Sequence, residues 1–172
     1  LGFHASHEQI SPGRLLKDVQ RAEQAGFDAA MCSDHIEPWS ARQGHSGFAW
    51  SWLGAALATT KLRLGVVTAP GQRYHPAIIA HASATLADMF PGRFWLAPGS
   101  GEYMNEHVTG EAWPDKATRQ RRLEEAVQII RELHDGKEVT RDGLVTVQQA
   151  RIWDVPEIKP PLIAPAVSVE TA

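Results

Sequence analysis

The chain is organised around the stretch 62–97, LRLGVVTAPGQRYHPAIIAHASATLADMFPGRFWLA. Residues 62–68 form an apolar, β-branched run that predicts a buried strand, and Ala69-Pro70-Gly71 ends it. His75-Pro76 then opens a predicted helix, in which apolar residues recur on one face at Ile78, Ile79, Ala82, Leu86 and Met89. Pro91-Gly92 ends this helix, and residues 93–97 predict the next strand. The order strand, helix, strand favours two parallel strands joined by a right-handed crossover.

The same alternation extends in both directions from this unit. Before it, the sequence predicts strands at 1–5 and 28–32, a helix from Ser11 to Gly26 and a second helix over 48–60. After it, the sequence predicts a glycine-bearing loop at 99–107 that turns into a short helix, and a long helix over 118–134. A fifth strand is predicted at 161–167, with Ser168 capping one more helix.

Residues 138–153 depart from this alternation. They predict a hairpin outside the main sheet, closed by a tight turn at Asp142-Gly143 and followed by a strand that begins at Leu144.

These elements together indicate an α/β fold with a parallel sheet. A closed barrel of eight strand–helix units takes about 250 residues, whereas this chain of 172 residues holds about four and a half such units. We therefore predict a (β/α)₈, or TIM, barrel, with residues 1–172 forming about the N-terminal half of a single domain. The alternative is a small doubly wound sheet of five strands that is complete as it stands.

Composition and charge exclude several classes of partner. The formal net charge is −3, which gives no basic surface for a nucleic acid or an anionic membrane. No apolar run approaches the roughly 18 residues that cross a bilayer. Cys32 is the only cysteine, which excludes an internal disulfide and fits a reducing compartment. We therefore expect a cytoplasmic protein.

Polar side chains follow three of the predicted strands, at the edge of a parallel barrel where active sites lie. Ser33, Asp34, His35 and Trp39 follow the second strand, Thr68 and Pro70 end the third, and the segment 99–105 follows the fourth. His35 is the side chain best suited to exchange a proton near pH 7, with Asp34 beside it to orient the ring or to bind a ligand hydroxyl. A capping or surface histidine is the alternative for His35. Trp39 either stacks on a flat ligand or covers the core.

The segment after the fourth strand indicates a binding loop for a phosphate-bearing cofactor. Gly99-Ser100-Gly101 lets a ligand approach the backbone closely, and amides that precede a helix can hold an anion. The longer dinucleotide fingerprint, G-x-G-x-x-G, is absent from the sequence. Glu102 is either functional or a favourable charge at a helix start, and Asn105 either donates to a phosphate or caps the helix.

A metal site is not expected. His4, His7, Asp34 and His35 are the candidate ligands, but His4 and His7 lack the usual spacing of two metal-binding histidines.

Several motifs in combination resemble the luciferase-like flavin and deazaflavin oxidoreductases. They are Ala25-Gly26-Phe27-Asp28, Ser33-Asp34-His35 with Trp39, Tyr74-His75-Pro76-Ala77, Pro91-Gly92-Arg93-Phe94, and Gly99-Ser100-Gly101-Glu102 with Asn105-Glu106-His107. Within that family, their order is similar to the branch of coenzyme F420-dependent glucose-6-phosphate dehydrogenases. Residues 72–76 and 143–147 are also similar to a side branch that uses an ordinary flavin. Coenzyme F420 and FMN are therefore both candidate cofactors.

The resemblance implies a role for each residue at the mouth of a (β/α)₈ barrel. His35 would remove the hydroxyl proton of an alcohol, Trp39 would stabilise the developing charge, and Glu102 would deliver a proton at the cofactor ring. The other matching residues would bind the cofactor: Asp34, Val66, Val67, Thr68, Gly99, Ser100, Gly101 and Asn105. The resemblance also implies a cis peptide at Val66-Val67.

The expected function is hydride transfer between a flavin or deazaflavin ring and a small alcohol-type substrate. An FMN-dependent monooxygenase and a flavin-binding barrel without turnover are the alternatives within the family, and a metal-dependent hydrolase is the alternative outside it. We expect the protein to form a homodimer. We also expect it to bind a small-molecule substrate.

Overall fold

The structure, a computed structural model, describes residues 1–164. Four parallel strands follow one another in sequence and in the sheet: β1 (Gly2–Ala5), β2 (Ala29–Ser33), β3 (Arg63–Thr68) and β4 (Phe94–Pro98). The helices α1 (Pro12–Gln24), α2 (Ala49–Thr59) and α3 (Pro76–Met89) connect them. After β4 come α4 (Tyr103–Glu106), a 3₁₀ turn (His107–Thr109) and the long helix α5 (Lys116–His134). The predicted order of strands and helices is confirmed for this part of the chain.

Alternate residues of each strand point to opposite faces of the sheet, and the helices cover one of these faces. Leu64, Val66 and Leu96 are fully buried and pack in one core with α2, α3 and α5. On the other face, the indole of Trp95 in β4 lies directly over Gly65 of β3, where a Cβ atom would come within 1.9 Å of the ring. Because all four strands are parallel, the loops that follow them meet at a single edge.

Helix α5 begins earlier than the sequence predicts. The carboxylate of Asp115 accepts a hydrogen bond of 2.7 Å from the backbone amide of Thr118, and this cap lets the helix start at Lys116.

The predicted hairpin is present, but its turn is wrong. Strands β5 (Val139–Arg141) and β6 (Val147–Ala150) pair antiparallel, and a loop over residues 142–146 joins them in place of a tight Asp142-Gly143 turn. The loop is held against α5, because the Glu125 carboxylate accepts a hydrogen bond of 3.1 Å from the backbone amide of Val145. The side chain of Val145 is buried in the core. The second strand consequently begins at Val147, three residues after the predicted start at Leu144.

Residues 161–163 lie beside β4 and are bonded to it in the parallel sense. The Leu96 amide donates to the Pro161 carbonyl at 2.9 Å, and the Ile163 amide donates to the Leu96 carbonyl at 2.8 Å, with Leu162 bridged to Leu96. Within the described residues, the predicted fifth strand is represented by this single bridge at Leu162. The rest of that strand and the helix capped by Ser168 lie outside the described residues.

The expectation of a cis peptide at Val66-Val67 is wrong. No cis peptide occurs within residues 1–164. Strand β3 is paired regularly with β2 on one side and β4 on the other through Val66 and Val67, so a trans backbone is what both ladders require. In the same part of the chain, no helix has the length and apolar character needed to span a bilayer.

Candidate active site

A cavity of about 250 Å³ opens at the carboxyl ends of β2, β3 and β4. Nine of the predicted site residues line it: Asp34, His35, Val67, Thr68, Gly99, Ser100, Gly101, Glu102 and Asn105. Ala69 and Glu106 complete the lining. The structure therefore brings together the three segments that the sequence points to.

Two predicted residues are not part of this lining. Val66 is fully buried, and its side chain packs in the core on the helix-covered face of the sheet. Trp39 is 56% exposed, and its indole stands edge-on to the His35 ring with 5.2 Å between centroids. Trp39 therefore supports His35 from the solvent side without forming a wall of the cavity.

His35 is held by a carboxylate that was not predicted from the sequence. Its Nδ1 lies 2.6 Å from Oε1 of Glu8, which follows β1 and has only 3% of its side chain exposed. A carboxylate at Nδ1 favours a proton on that nitrogen and leaves Nε2 as the basic one. The pair has the arrangement of a general base and the group that orients it.

The charge on Glu8 is maintained in spite of its burial. Burial alone raises the pKa of this carboxyl, but the Ser6 hydroxyl, a backbone amide and His35 together outweigh burial and lower it below its usual value. The Ser6 Oγ donates a hydrogen bond of 2.7 Å to Oε2. Glu8 is therefore an anion at neutral pH and can pair with a protonated His35.

The side chain of Asp34 is fully buried, and its carboxylate accepts three hydrogen bonds. Its Oδ2 accepts hydrogen bonds from Thr68 Oγ1 at 2.8 Å and from Trp50 Nε1 at 3.2 Å. The Tyr74 hydroxyl donates to Oδ1 at 3.4 Å. Burial and the neighbouring Asp34 raise the pKa of Tyr74, so this hydroxyl stays protonated and remains a donor. The Asp34 carboxylate thus joins the ends of β2 and β3 at the wall of the cavity.

A third buried carboxylate, Glu106, lies at the edge of the cavity with Arg73. Glu106 is 2% exposed, and its Oε2 accepts a bond of 2.7 Å from the Arg73 backbone amide. Burial raises the pKa of Glu106, although the amide and the charge of Arg73 act in the opposite direction. Both residues fall within the larger motifs that stand out in the sequence, but neither was predicted to have a role of its own.

The glycine loop differs in part from the expected anion site. The Gly99 amide donates to the Thr68 carbonyl at 2.7 Å, so it is not free for a ligand. Gly101 has φ of 81°, and a Cβ atom there would come within 3.2 Å of Glu106 Cγ, which requires glycine at this position. Glu102 is exposed beside the cavity at the start of α4 but does not cap that helix through its side chain.

Asn105 acts as a tether between two loops. It is 3% exposed, and its Oδ1 accepts a hydrogen bond of 3.0 Å from the backbone amide of Ile36. This bond fixes the loop after β2 to the loop after β4. The Oδ1 atom of this cavity residue is therefore already engaged by the protein backbone.

The other candidate ligands are dispersed or structural. His7 is fully buried against Trp52, with 4.9 Å between ring centroids. His75 caps α3 by accepting from the Ala77 amide at 3.2 Å. Burial raises the pKa of Cys32, which keeps it a neutral thiol. Within residues 1–164, no cluster of three His, Cys, Asp or Glu side chains is placed to hold a metal ion.

The sequence is similar to a known protein family and to named members of it. A family model described as luciferase-like monooxygenase matches residues 2–172. The F420-dependent glucose-6-phosphate dehydrogenase of Beutenbergia cavernae is 46% identical over 169 residues, which are 96% of this chain and 50% of that protein. The protein of the same name from Mycolicibacterium smegmatis is 44% identical over 162 residues, or 91% of this chain and 48% of that protein.

A solved structure agrees closely with the fold. An F420-dependent secondary alcohol dehydrogenase in complex with an F420-acetone adduct superimposes with a TM-score of 0.91 at 42% identity, over 95% of this chain and 51% of that one. The chain thus spans about half the length of the relatives it matches. These similarities confirm the resemblance and the (β/α)₈-barrel fold class predicted from the sequence.

Proposed function

Because the chain belongs to the luciferase-like monooxygenase family, we propose that it forms the cofactor side of the active site of an F420-dependent oxidoreductase. The reaction is hydride transfer between the deazaflavin ring and a small alcohol-type substrate. The observation that carries this proposal is the Glu8–His35 pair at the wall of a cavity whose other side is the glycine loop with Glu102.

The choice of cofactor is supported by relatives above 40% identity, whose names specify F420. FMN is the alternative. Its support is weaker, because an FMN-bound Baeyer-Villiger monooxygenase from Pseudomonas putida shares only the fold, at 19% identity and a TM-score of 0.71.

The residues present fit a flat ring with a phosphate-bearing tail. The cavity offers apolar side chains, Val67 and Ala69, beside the glycine loop of Gly99, Ser100 and Gly101. Its volume of about 250 Å³ lies just below the roughly 300–1,000 Å³ of typical ligand sites. These residues would therefore hold one part of such a cofactor. When bound, the ring supplies the hydride acceptor or donor.

The protein's own residues manage the protons. His35 takes the hydroxyl proton of the alcohol at Nε2 as the carbinol hydrogen leaves as hydride, and the Glu8 carboxylate stabilises the imidazolium that forms. Trp39 limits the motion of the imidazole from the solvent side. Glu102, exposed at the cavity, would supply a proton on the cofactor side. The Asp34 carboxylate accepts hydrogen bonds from Thr68, Trp50 and Tyr74, so we assign it to holding the ends of β2 and β3 together where the cofactor would lie.

The experiment is a titration of the full-length protein with F420 and with FMN, followed by an assay on a panel of alcohols. His35→Ala should lower kcat by about a hundredfold or more, as expected for loss of a general base, while the dissociation constant of the cofactor stays within a few-fold. His81→Ala, on the exposed face of α3, is the matched control and should change neither value.

Three results would count against the proposal. If the protein bound neither F420 nor FMN, the proposed function would be wrong. Binding without turnover of any alcohol or aldehyde would leave a flavin-binding barrel without catalysis. An equal loss of binding and turnover in His35→Ala would make His35 a structural residue.

Two further proposals concern the whole protein. We propose a homodimer, because apolar side chains on α3 stand open to solvent, Ile78 at 59% and Met89 at 58% exposed, and a second copy would cover them. Sedimentation of the full-length protein tests this, and a monomer at micromolar concentration would contradict it. The cytoplasmic location stays a prediction.

A further inference from the structure

Arg73, in the loop between β3 and α3, lies between two of the buried carboxylates of the site, Asp34 and Glu106. Its side chain is 9% exposed, and those of Asp34 and Glu106 are 0% and 2% exposed. Its guanidinium is 3.6 Å from Asp34 Oδ2 and 3.7 Å from Glu106 Oε1, measured to the nearest nitrogen in each case. Charges this deeply buried are stable only when they are paired.

On the side of the β2 loop, Arg73 reaches the residue that precedes His35. A terminal guanidinium nitrogen donates a hydrogen bond of 2.6 Å to the backbone carbonyl of Asp34. A bond to this carbonyl fixes the peptide that joins Asp34 to His35, so it sets the direction in which the imidazole leaves the backbone.

On the side of the β4 loop, Arg73 reaches the helical turn that carries Glu102. Its backbone amide donates to Glu106 Oε2 at 2.7 Å, and the Glu106 amide donates to the Glu102 carbonyl at 3.1 Å. Glu106 is thus one turn of helix away from Glu102. Arg73 is therefore hydrogen-bonded both to the peptide that carries His35 and to the helical turn that carries Glu102.

The loop that carries Arg73 is itself held tightly. Gly71 has φ of 135°, open mainly to glycine, and its amide donates to the Tyr74 carbonyl at 2.7 Å. The guanidinium lies over the Tyr74 ring, 4.6 Å from its centroid. Arg73 is therefore presented from a closed turn with little freedom of its own.

We propose that Arg73 is the positioning residue that sets the placement of His35 and Glu102 relative to each other. This proposal rests on the proposed function for its catalytic consequence. A lysine keeps the charge, but it cannot occupy the same planar geometry between the Asp34 carbonyl and the two carboxylates. Arg73→Lys therefore separates positioning from charge.

The matched control is Arg93, a partly buried arginine at the opposite end of the strands. Its guanidinium donates to the carbonyls of Leu57, Thr60 and Leu62, far from the cavity lining. Like Arg73→Lys, Arg93→Lys replaces a planar guanidinium that is bonded to backbone carbonyls with an ammonium group. It should lower the melting temperature of the protein without changing cofactor affinity or kcat.

The test compares both variants in the full-length protein by three measurements: the dissociation constant of F420, the kcat and KM of an alcohol, and hydrogen exchange of the Ile36 amide. Arg73→Lys should lower kcat at least about tenfold with a smaller change in KM, because misplacement by ~1 Å can cost about a hundredfold. It should also speed exchange of the Ile36 amide, which is bonded to Asn105 across the two loops. Exchange needs no bound cofactor, so it reports on positioning independently of activity.

If Arg73→Lys keeps wild-type kcat and Ile36 exchange, the positioning role is wrong. Should Arg73→Lys fail to fold, Glu106→Gln replaces it, since it keeps the acceptor but removes the charge facing Arg73. Wild-type Ile36 exchange and kcat in Glu106→Gln would equally overturn the proposal. If the wild-type protein binds neither F420 nor FMN, the proposed function fails, whereas faster Ile36 exchange in Arg73→Lys would still establish the positioning role.

Discussion

The carboxylate of Glu8 lies 2.6 Å from Nδ1 of His35, which joins the loop after β1 to the loop after β2. A carboxylate at this distance favours a proton on Nδ1, which leaves Nε2 as the nitrogen that can act as a base. His35 is thus oriented by a residue on a neighbouring strand end, not by the adjacent Asp34, whose carboxylate is directed to Thr68 and Trp50.

Glu8→Gln should lower kcat by at least about tenfold, because an amide cannot stabilise the imidazolium as a carboxylate does. Cofactor affinity should stay near the wild-type value. The measurement is steady-state turnover of an alcohol with F420. Glu37→Gln is the control, since Glu37 lies in the same loop as His35 but is half exposed and pairs with His107. Wild-type kcat in Glu8→Gln would show that Glu8 does not assist His35.

Thr68→Val should destabilise the fold by about 1–3 kcal/mol, the cost of removing a donor from a buried carboxylate. Thr68 Oγ1 donates to Asp34 Oδ2 at 2.8 Å, and both residues are buried. Thr68→Ser keeps this bond and loses only a methyl group, so it should stay closer to the wild type. Denaturant unfolding of the three proteins measures the difference. A larger loss for serine than for valine would assign the role of Thr68 to its methyl group.

Two glycine substitutions should act in opposite directions. Gly65→Ala places a Cβ atom 1.9 Å from the Trp95 ring, and overpacking of this kind typically costs about 1–3 kcal/mol. At Gly54 in α2, an added Cβ atom would have no neighbour within 4 Å, and alanine in a helix interior is about 0.5–1 kcal/mol better than glycine. Thermal unfolding of both variants tests the pair. Equal stability of the two variants would contradict the close approach of Trp95 to β3.

The fold should lose stability as the pH falls, in part through His134. This side chain is 3% exposed between α5 and α3, with Nε2 at 2.9 Å from Ser83 Oγ. Burial lowers its pKa, and the Ala80 carbonyl opposes this shift only in part. The unfolded chain takes up the proton first, so the stabilisation is complete above a pH of about 6.5 and is lost as the pH falls toward the lower folded value.

His134→Leu should therefore flatten the decrease in the free energy of unfolding between a pH of about 7.5 and about 5.5. It should not abolish the decrease, because burial lowers the pKa of His7 as well. His81→Leu, exposed on α3, serves as the control and should keep the wild-type slope. An unchanged slope in His134→Leu would contradict a neutral, buried His134.

Most of the fold was predictable because it is encoded locally. The run 62–68 and the helix opened by His75-Pro76 depend on residues close to one another in sequence, and their bounds are met within a residue or two. The tight turn at Asp142-Gly143 was wrong for the opposite reason. It is overridden by Glu125 on α5, which binds the Val145 amide from a distant part of the chain.

The same distinction applies to the site. Ser33-Asp34-His35 and Gly99-Ser100-Gly101 stand out as short motifs at strand ends, so the position of the cavity could be predicted. Glu8 and Arg73 act through partners distant in sequence, and single residues of common types carry no local signal. One rule would have found both, since each lies a few residues beyond the end of a parallel strand, at the edge that holds the cavity.

The burial of Cys32 has a practical consequence for spectroscopy. It is the only thiol of this chain, it lies inside β2 with no exposed surface, and burial keeps it protonated. A maleimide reagent should therefore leave the unmodified chain unlabelled while it stays folded. A cysteine substituted for the exposed Ser100 would then carry a fluorophore or spin label at one defined point of the cavity rim. The emission of that fluorophore, or the mobility of that spin label, would report on the rim as ligands bind, with no need to remove a native cysteine from the core of this chain.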